Sequence, residues 1–135
     1  MGLCATAKGL NEETEFHCGY FTYHRFIEEL VRGAYDDRYY KIYTDSINEH
    51  RCFTLDENMY WNSHFNAALD ILIFHSDCDG SFTPKECRAI YNAIKDLHSD
   101  LKGHNYETMK PYNMLEHWKD IFLHCAKRRV NLYYH

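Results

Sequence analysis

Apolar positions recur with helical spacing over most of this chain, and the exceptions sit near its two ends. Residues 3–7 predict a short strand, and Asn11 to Glu15 are polar and read as loop. From Tyr20 to Ala34 the apolar side chains fall at Phe26, Ile27, Leu30 and Val31, one stripe of an amphipathic helix, with Gly33 as its stop. Asp36 to Ile47 supports two readings: Tyr39, Tyr40 and Tyr43 have helical spacing, while the tyrosines and Ile42 suit an extended segment. Asn62 or Ser63 offers an N-cap for a helix that turns Phe65, Leu69, Leu72 and Ile73 inward.

The clearest start signal is Thr83-Pro84-Lys85-Glu86. Thr caps, Pro takes the first helical position without wasting a donor, and Glu closes a capping box. The stripe that follows, Cys87, Ile90, Ala93, Ile94, Leu97 and Leu101, predicts a helix of about four turns ending at Gly103. A last helix, Asn113 to Lys127, buries Leu115, Trp118, Ile121, Phe122 and Cys125, with Lys127, Arg128 and Arg129 favouring its carboxyl end. Val130, Leu132 and Tyr134 then alternate with polar or exposed positions, as in a short terminal strand. The fold class expected is therefore α+β: a helix-dominated single domain over residues 1–135, with short strands at the N- and C-terminal ends and a helix-loop-helix around residues 62–102.

Composition narrows the function classes. A length of 135 residues with 45% hydrophobic content is enough for one core, and with only 2 Pro and 6 Gly the chain has no place to be cut into domains. Twelve Tyr and 8 Phe supply large amphipathic surface, suited to the rim of a small core and to binding faces. A formal net charge of −5 gives no field that would draw the protein onto nucleic acid, so a basic protein partner is expected and direct sequence-specific nucleic-acid binding is not. Ten His make that charge sensitive to pH near neutrality.

Six cysteines, at positions 4, 18, 52, 78, 87 and 125, fit no small secreted framework, and Met1 to Leu10 lacks an apolar signal region. Free thiols in a reducing compartment are expected, and no apolar run is long enough for a membrane span. Met1-Gly-Leu-Cys-Ala-Thr6 fits the N-myristoylation pattern, with Cys4 as a second acylation point. That pattern is short and has meaning only in a eukaryotic cytosol, so an unmodified terminus is the expectation.

Chemistry concentrates in one loop, His75-Ser-Asp-Cys-Asp-Gly-Ser-Phe-Thr-Pro-Lys-Glu86. Laid on the 12-residue EF-hand loop, it places Asp77 and Asp79 at the third and fifth positions, Gly80 at the sharp turn and Glu86 at the last, a set of oxygen donors for Ca²⁺. The first position departs from the pattern: His75 is a poor ligand for a hard cation, and with the thiol of Cys78 it tilts the donor set toward Zn²⁺. The zinc ligands expected are His75, Asp77 and Cys78, with Cys18 as the remote fourth donor and His24 and Cys87 behind it. Against this stands the plain reading of Asp-x-Asp-Gly as a turn whose carboxylates satisfy local N–H groups.

Other constellations carry less. His117 and His124, seven residues apart on one helix, are too far apart to share an ion and read as surface or interface residues. Arg25 reads as a fold contact. Cys18 and His24 invite comparison with a thiol protease, but no family signature surrounds either. No Walker loop, dinucleotide fingerprint or nucleophile elbow is present.

On Met1-Gly-Leu3, Cys18-Gly-Tyr20 with Arg25, His75-Ser-Asp-Cys-Asp-Gly80, and the terminal Trp118, Phe122, Cys125-Ala126 and Val130, the chain resembles a group of small phage and bacterial proteins. Those proteins open with Met-Gly-Leu and centre on Phe/His-Ser-Asp-Cys-Asp/Glu-Gly. Many carry Asp where this chain has Cys4 and Phe where it has His75. Within that group the chain looks like a zinc-containing anti-CRISPR. The resemblance implies a phage-encoded inhibitor in the host cell cytoplasm that binds a type II-A Cas9, or its guide RNA complex, and blocks DNA loading or cleavage by occupancy, without catalytic residues. Two alternatives come from the loop itself: a small metal-dependent hydrolase with Asp77 or Asp79 orienting a metal-bound water, and an EF-hand-like Ca²⁺ module through Asp77, Asp79 and Glu86.

Overall fold

The computed structural model describes residues 2–10, 16–63, 66–104 and 110–135. In chain order the elements are β1 (Gly2–Thr6), β2 (Phe16–Gly19), α1 (Tyr20–Ala34), α2 (Asp37–Asn48), α3 (Leu55–Ser63), α4 (Ala67–Ile73), β3 (Ser81–Phe82), α5 (Pro84–Ile94), β4 (Lys102–His104), β5 (Pro111–Asn113), α6 (Met114–Arg128) and β6 (Leu132–Tyr134). This is the helix-dominated α+β class expected, with short terminal strands. Asn11 to Glu15 lie outside the described residues.

The terminal strands pair with each other. An antiparallel sheet of order β2-β1-β6-β3 sets Ala5 opposite Tyr134 and Phe82 opposite Leu132. Cys4 and His135 exchange both backbone hydrogen bonds at 2.8 Å, so the carboxyl end of the chain is locked onto its first strand. The period of two shows in burial: Leu132 and Tyr134 face the core while Tyr133 between them is exposed. Under the sheet lie α1 and α6, where Phe26 stacks on Trp118 at 5.6 Å and the Tyr23 and Tyr134 hydroxyls meet at 3.2 Å. All five residues assigned to the apolar stripe of α6 are buried.

Three boundaries are settled by local contacts, one that the sequence pattern left open and two that differ from it. The ambiguous segment is the helix α2, capped by Asp36, whose carboxylate accepts the Tyr39 N–H at 2.9 Å, and burial of Tyr39, Ile42 and Tyr43 on one face decides for it. The helix expected to start at Asn62 or Ser63 is two helices: α3 ends at Ser63, and α4 starts afresh with Asn66 accepting the Leu69 N–H at 3.1 Å. Phe65 lies outside the described residues. Apolar periodicity could not find α3, because Trp61 is its only fully buried side chain. Its start signal is polar: the Thr54 hydroxyl accepts from the Glu57 N–H, and the Glu57 carboxylate accepts from the Thr54 N–H at 2.8 Å, a second capping box.

The third boundary is the end of α5. Its capping box forms as expected, but the helix stops at Ile94, well short of Gly103. Lys119, buried on α6, donates to the Leu97 carbonyl at 2.6 Å just beyond that helix end, which satisfies an acceptor the helix would otherwise have used. Leu97 and Leu101 still pack on the core, from an irregular segment that leads into the β4–β5 pair. Gly103 is required there: a Cβ would sit 2.5 Å from the Tyr112 ring. Among the described residues no helix is long and apolar enough to cross a membrane.

Candidate functional site

The loop between α4 and α5 keeps the frame of a cation loop. Gly80 adopts φ +90°, β3 follows it, and Thr83 and Glu86 cap the exit helix, with Glu86 Oε1 accepting the Thr83 N–H at 2.9 Å. What differs is the role of the first position. The His75 ring stacks on Phe82 at 4.0 Å, meets Tyr134 edge-on at 5.0 Å, and lies over Gly80, where a Cβ would come within 3.1 Å of it. Its Nδ1 is 2.8 Å from the Ser76 carbonyl and its Nε2 3.3 Å from the Ser81 carbonyl. A neutral imidazole carries one N–H and so donates to one of these carbonyls at a time. In this arrangement the ring fills the turn as a flat aromatic plate between Phe82 and Tyr134.

The other predicted donors are placed as follows. Asp77 Oδ2 is 2.9 Å from His24 Nε2, a contact that ties the loop to α1 while both side chains stay partly open to water. Cys78 is exposed; its N–H donates to the Ser76 hydroxyl at 3.3 Å, the local turn bonding that an Asp- and Ser-rich segment offers. Asp79 is exposed. Cys87 is in the core beside Cys125, and the hydrogen bond between the two thiols, reinforced by burial, pushes the Cys87 thiol far above its ordinary range. Cys18 belongs to β2, opposite Leu3, with β1 and β6 between it and β3. At about 4.8 Å per strand spacing, that backbone separation is roughly 14 Å. The Cys18 side chain lies outside the described residues. Of the remote donors whose side chains are described, His24 reaches the loop. Among the described residues no three His, Cys, Asp or Glu side chains gather in a way that could hold a metal ion. Those five cysteines whose side chains are described are free thiols.

His117 and His124, expected at the surface or an interface, are half-buried: His117 packs against Tyr112 with ring centroids 5.0 Å apart, and His124 Nε2 lies 3.2 Å from the Lys8 carbonyl. Arg25, expected to make a fold contact, is exposed on α1.

A second feature escaped the sequence pattern because it is assembled from four segments. Tyr35 stacks on Tyr39 at 4.5 Å, Tyr39 tilts onto Trp61 at 4.7 Å, and Trp61 meets Phe53 and Phe74 at 5.3 and 5.4 Å. Asp70 is inserted into this aromatic group: its Oδ1 accepts from the Tyr35 hydroxyl at 2.8 Å and its Oδ2 from the Trp61 indole at 2.9 Å. Burial nonetheless raises its pKa above the ordinary carboxylate value. Beside it opens a cavity of about 310 Å³ lined by Ser46, Cys52, Phe53, Asn58, Trp61, Asn62, Asp70 and Phe74. Phe74, in its lining, is 53% exposed, and the elements that form it carry further exposed apolar side chains, Leu55 at 77% and Met59 at 65% on α3 and Ile47 beside Ser46 on α2. In the sequence the only trace of this site was the density of Tyr, Trp and Phe between residues 35 and 74.

No protein-family model matches the chain, and neither the curated proteins nor the solved structures contain a match to it.

Proposed function

We propose that this chain is a binding protein that acts by occupancy, docking through the apolar face around the α3 cavity. The observation that carries the reading is the grouping of exposed apolar side chains at one cavity. At about 100° per residue, Leu55, Asn58, Met59 and Asn62 fall within an arc of about 100° on α3, and Asn58 and Asn62 line the same cavity as Phe74. A contiguous apolar patch rimmed by polar groups marks a surface that a partner covers. The net charge of −5 suits a basic partner. Joined to the resemblance, the partner proposed is a type II-A Cas9, free or with its guide RNA, in the host cell cytoplasm. The 75–86 loop contributes shape through its own bonds and the His24–Asp77 contact. The reading rests on the apolar face and is independent of whether His75, Asp77, Cys78 and Cys18 take up Zn²⁺, which native mass spectrometry of the purified chain tests separately.

The test is titration into a Cas9 DNA-cleavage assay. Inhibition should saturate near one equivalent, and the double variant Leu55→Asp, Met59→Asp should abolish it with the melting temperature nearly unchanged, since both side chains are exposed. Absence of inhibition at about tenfold excess, far beyond what an interface of standard size needs, would refute the Cas9 assignment. Inhibition at a small fraction of one equivalent with a cleaved guide RNA recovered would point to the hydrolase instead.

A further inference from the structure

We propose that the cavity beside α3 is a receptor for one arginine side chain of a protein partner, with Asp70 at its base and Phe53, Trp61 and Phe74 as its walls. The inference rests on the binding-protein reading and specifies what the partner must present.

Three observations lead to it. First, Asp70 carries charge without a countercharge. Its partners are two neutral donors, the Tyr35 hydroxyl and the Trp61 indole, one on each oxygen, and among the described residues no Lys, Arg or His pairs with it. Each carboxylate oxygen can accept two bonds, so the described residues leave one acceptor position open on each. A carboxylate with acceptor capacity left on both oxygens suits the two-pronged fork of a guanidinium better than the point charge of a lysine ammonium. The chain's own Arg51, which adjoins Cys52, is held elsewhere: its guanidinium is paired with Glu57 at 2.6 Å and with Glu49.

Second, the walls are aromatic faces and edges. Phe53, Trp61 and Phe74 lie with ring centroids 5.3, 5.4 and 5.9 Å apart, tilted or edge-on to each other. A planar, weakly hydrated cation gains from lying against such rings. The same chemistry already operates nearby on this chain, where the Arg38 guanidinium sits 3.9 Å from the centre of the Tyr60 ring and that of Arg32 4.2 Å from the centre of Tyr40.

Third, size and surroundings fit a single side chain. At about 310 Å³ the cavity is at the small end of ligand pockets. Leu55 and Met59 on the adjoining helix surface would cover the apolar neighbours of the inserted residue, forming the ring of contacts that excludes water from a buried anchor. Burial disfavours the ionised form of Asp70 in the free chain, and an opposite charge placed beside it offsets that cost.

The experiment is an NMR titration of the full chain, labelled at the indole nitrogens of its 2 Trp, with N-acetyl-arginine-methylamide. The Trp61 signal reports directly, because that N–H donates to Asp70; Trp118, fully buried, is the internal reference. A saturable Trp61 shift is expected in the range of about 1–10 mM, ordinary for one isolated side chain. The citrulline analogue, neutral and of the same shape, should give none, and the lysine analogue should bind more weakly. Asp70→Asn should weaken the arginine analogue roughly tenfold or more. Phe74→Ala, whose side chain is half exposed and whose loss leaves the core intact, should weaken it severalfold and serves as the second variant if Asp70→Asn does not fold.

No saturable shift, equal shifts from arginine and citrulline analogues, or equal movement of both indoles would overturn the proposal. The two readings fail separately. A null titration beside intact Cas9 inhibition removes the arginine receptor and keeps the occupancy function, whereas arginine binding without inhibition of Cas9 keeps the receptor and removes that partner.

Discussion

Replacing His75 by phenylalanine and, separately, by alanine distinguishes a ring that packs from a nitrogen that ligates. The ring makes two aromatic contacts, with Phe82 at 4.0 Å and Tyr134 at 5.0 Å. Such contacts contribute about 0.5–1.5 kcal/mol each, so alanine should cost roughly 1–3 kcal/mol. For a chain of this length that lowers the melting temperature by roughly 4–12 °C. Phenylalanine keeps both contacts and gives up only the polar approaches to the Ser76 and Ser81 carbonyls at 2.8 and 3.3 Å. The surrounding turn is open to water, so these carbonyls are rehydrated and the expected loss is about 1 kcal/mol or less. Thermal unfolding followed by circular dichroism, with and without a chelator, is the assay. The wild type and His75→Phe should melt within about 4 °C of each other, and the chelator should shift neither. If phenylalanine were as damaging as alanine, and native mass spectra showed one zinc lost with either substitution, the packing role would be refuted and His75 would be a ligand after all.

Thr54→Ala should lower stability by about 1 kcal/mol in urea unfolding, because it opens the capping box that starts α3, and an unchanged midpoint would mean that tertiary contacts alone hold that helix. His117 should make stability pH-dependent. Burial lowers its pKa from the ordinary 6.5, partly offset by Asp120, so the unfolded chain binds the proton more readily than the folded one. The contribution of the neutral ring is therefore fully present above about pH 6.5 and is lost as the pH falls toward the folded-state value. Comparing urea midpoints at pH 7.5 and about 5.5, His117→Gln should lose less than the wild type; equal losses would assign the acid sensitivity to other groups.

Local signals in the amino-acid sequence were sufficient wherever one residue type has one physical use. Thr83-Pro84-x-Glu86 starts a helix because its side chains serve the first free N–H groups, and the stripe of α6 is buried because five apolar residues share one face. The Gly80 turn follows for the same reason, since its φ of +90° is open to glycine at little cost. Legible, too, was the frame of the 75–86 loop; what its side chains would do was not. His75 has two uses, ligand and aromatic, and the choice depends on Phe82 and Tyr134, the second of which is nearly sixty residues away. Likewise Leu97 ends outside a helix because Lys119 of α6 takes up its carbonyl. The cavity around Asp70 depends on tertiary structure most of all. Its walls come from α2, α3, the end of α4 and the segment between α2 and α3, Tyr35 reaches Asp70 from the link between α1 and α2, and no periodicity within any one of these foretells that Tyr35, Trp61 and Asp70 will meet. Spacing along a chain reports which face of one element is apolar; a carboxylate held among rings from several elements arises only when those faces pack.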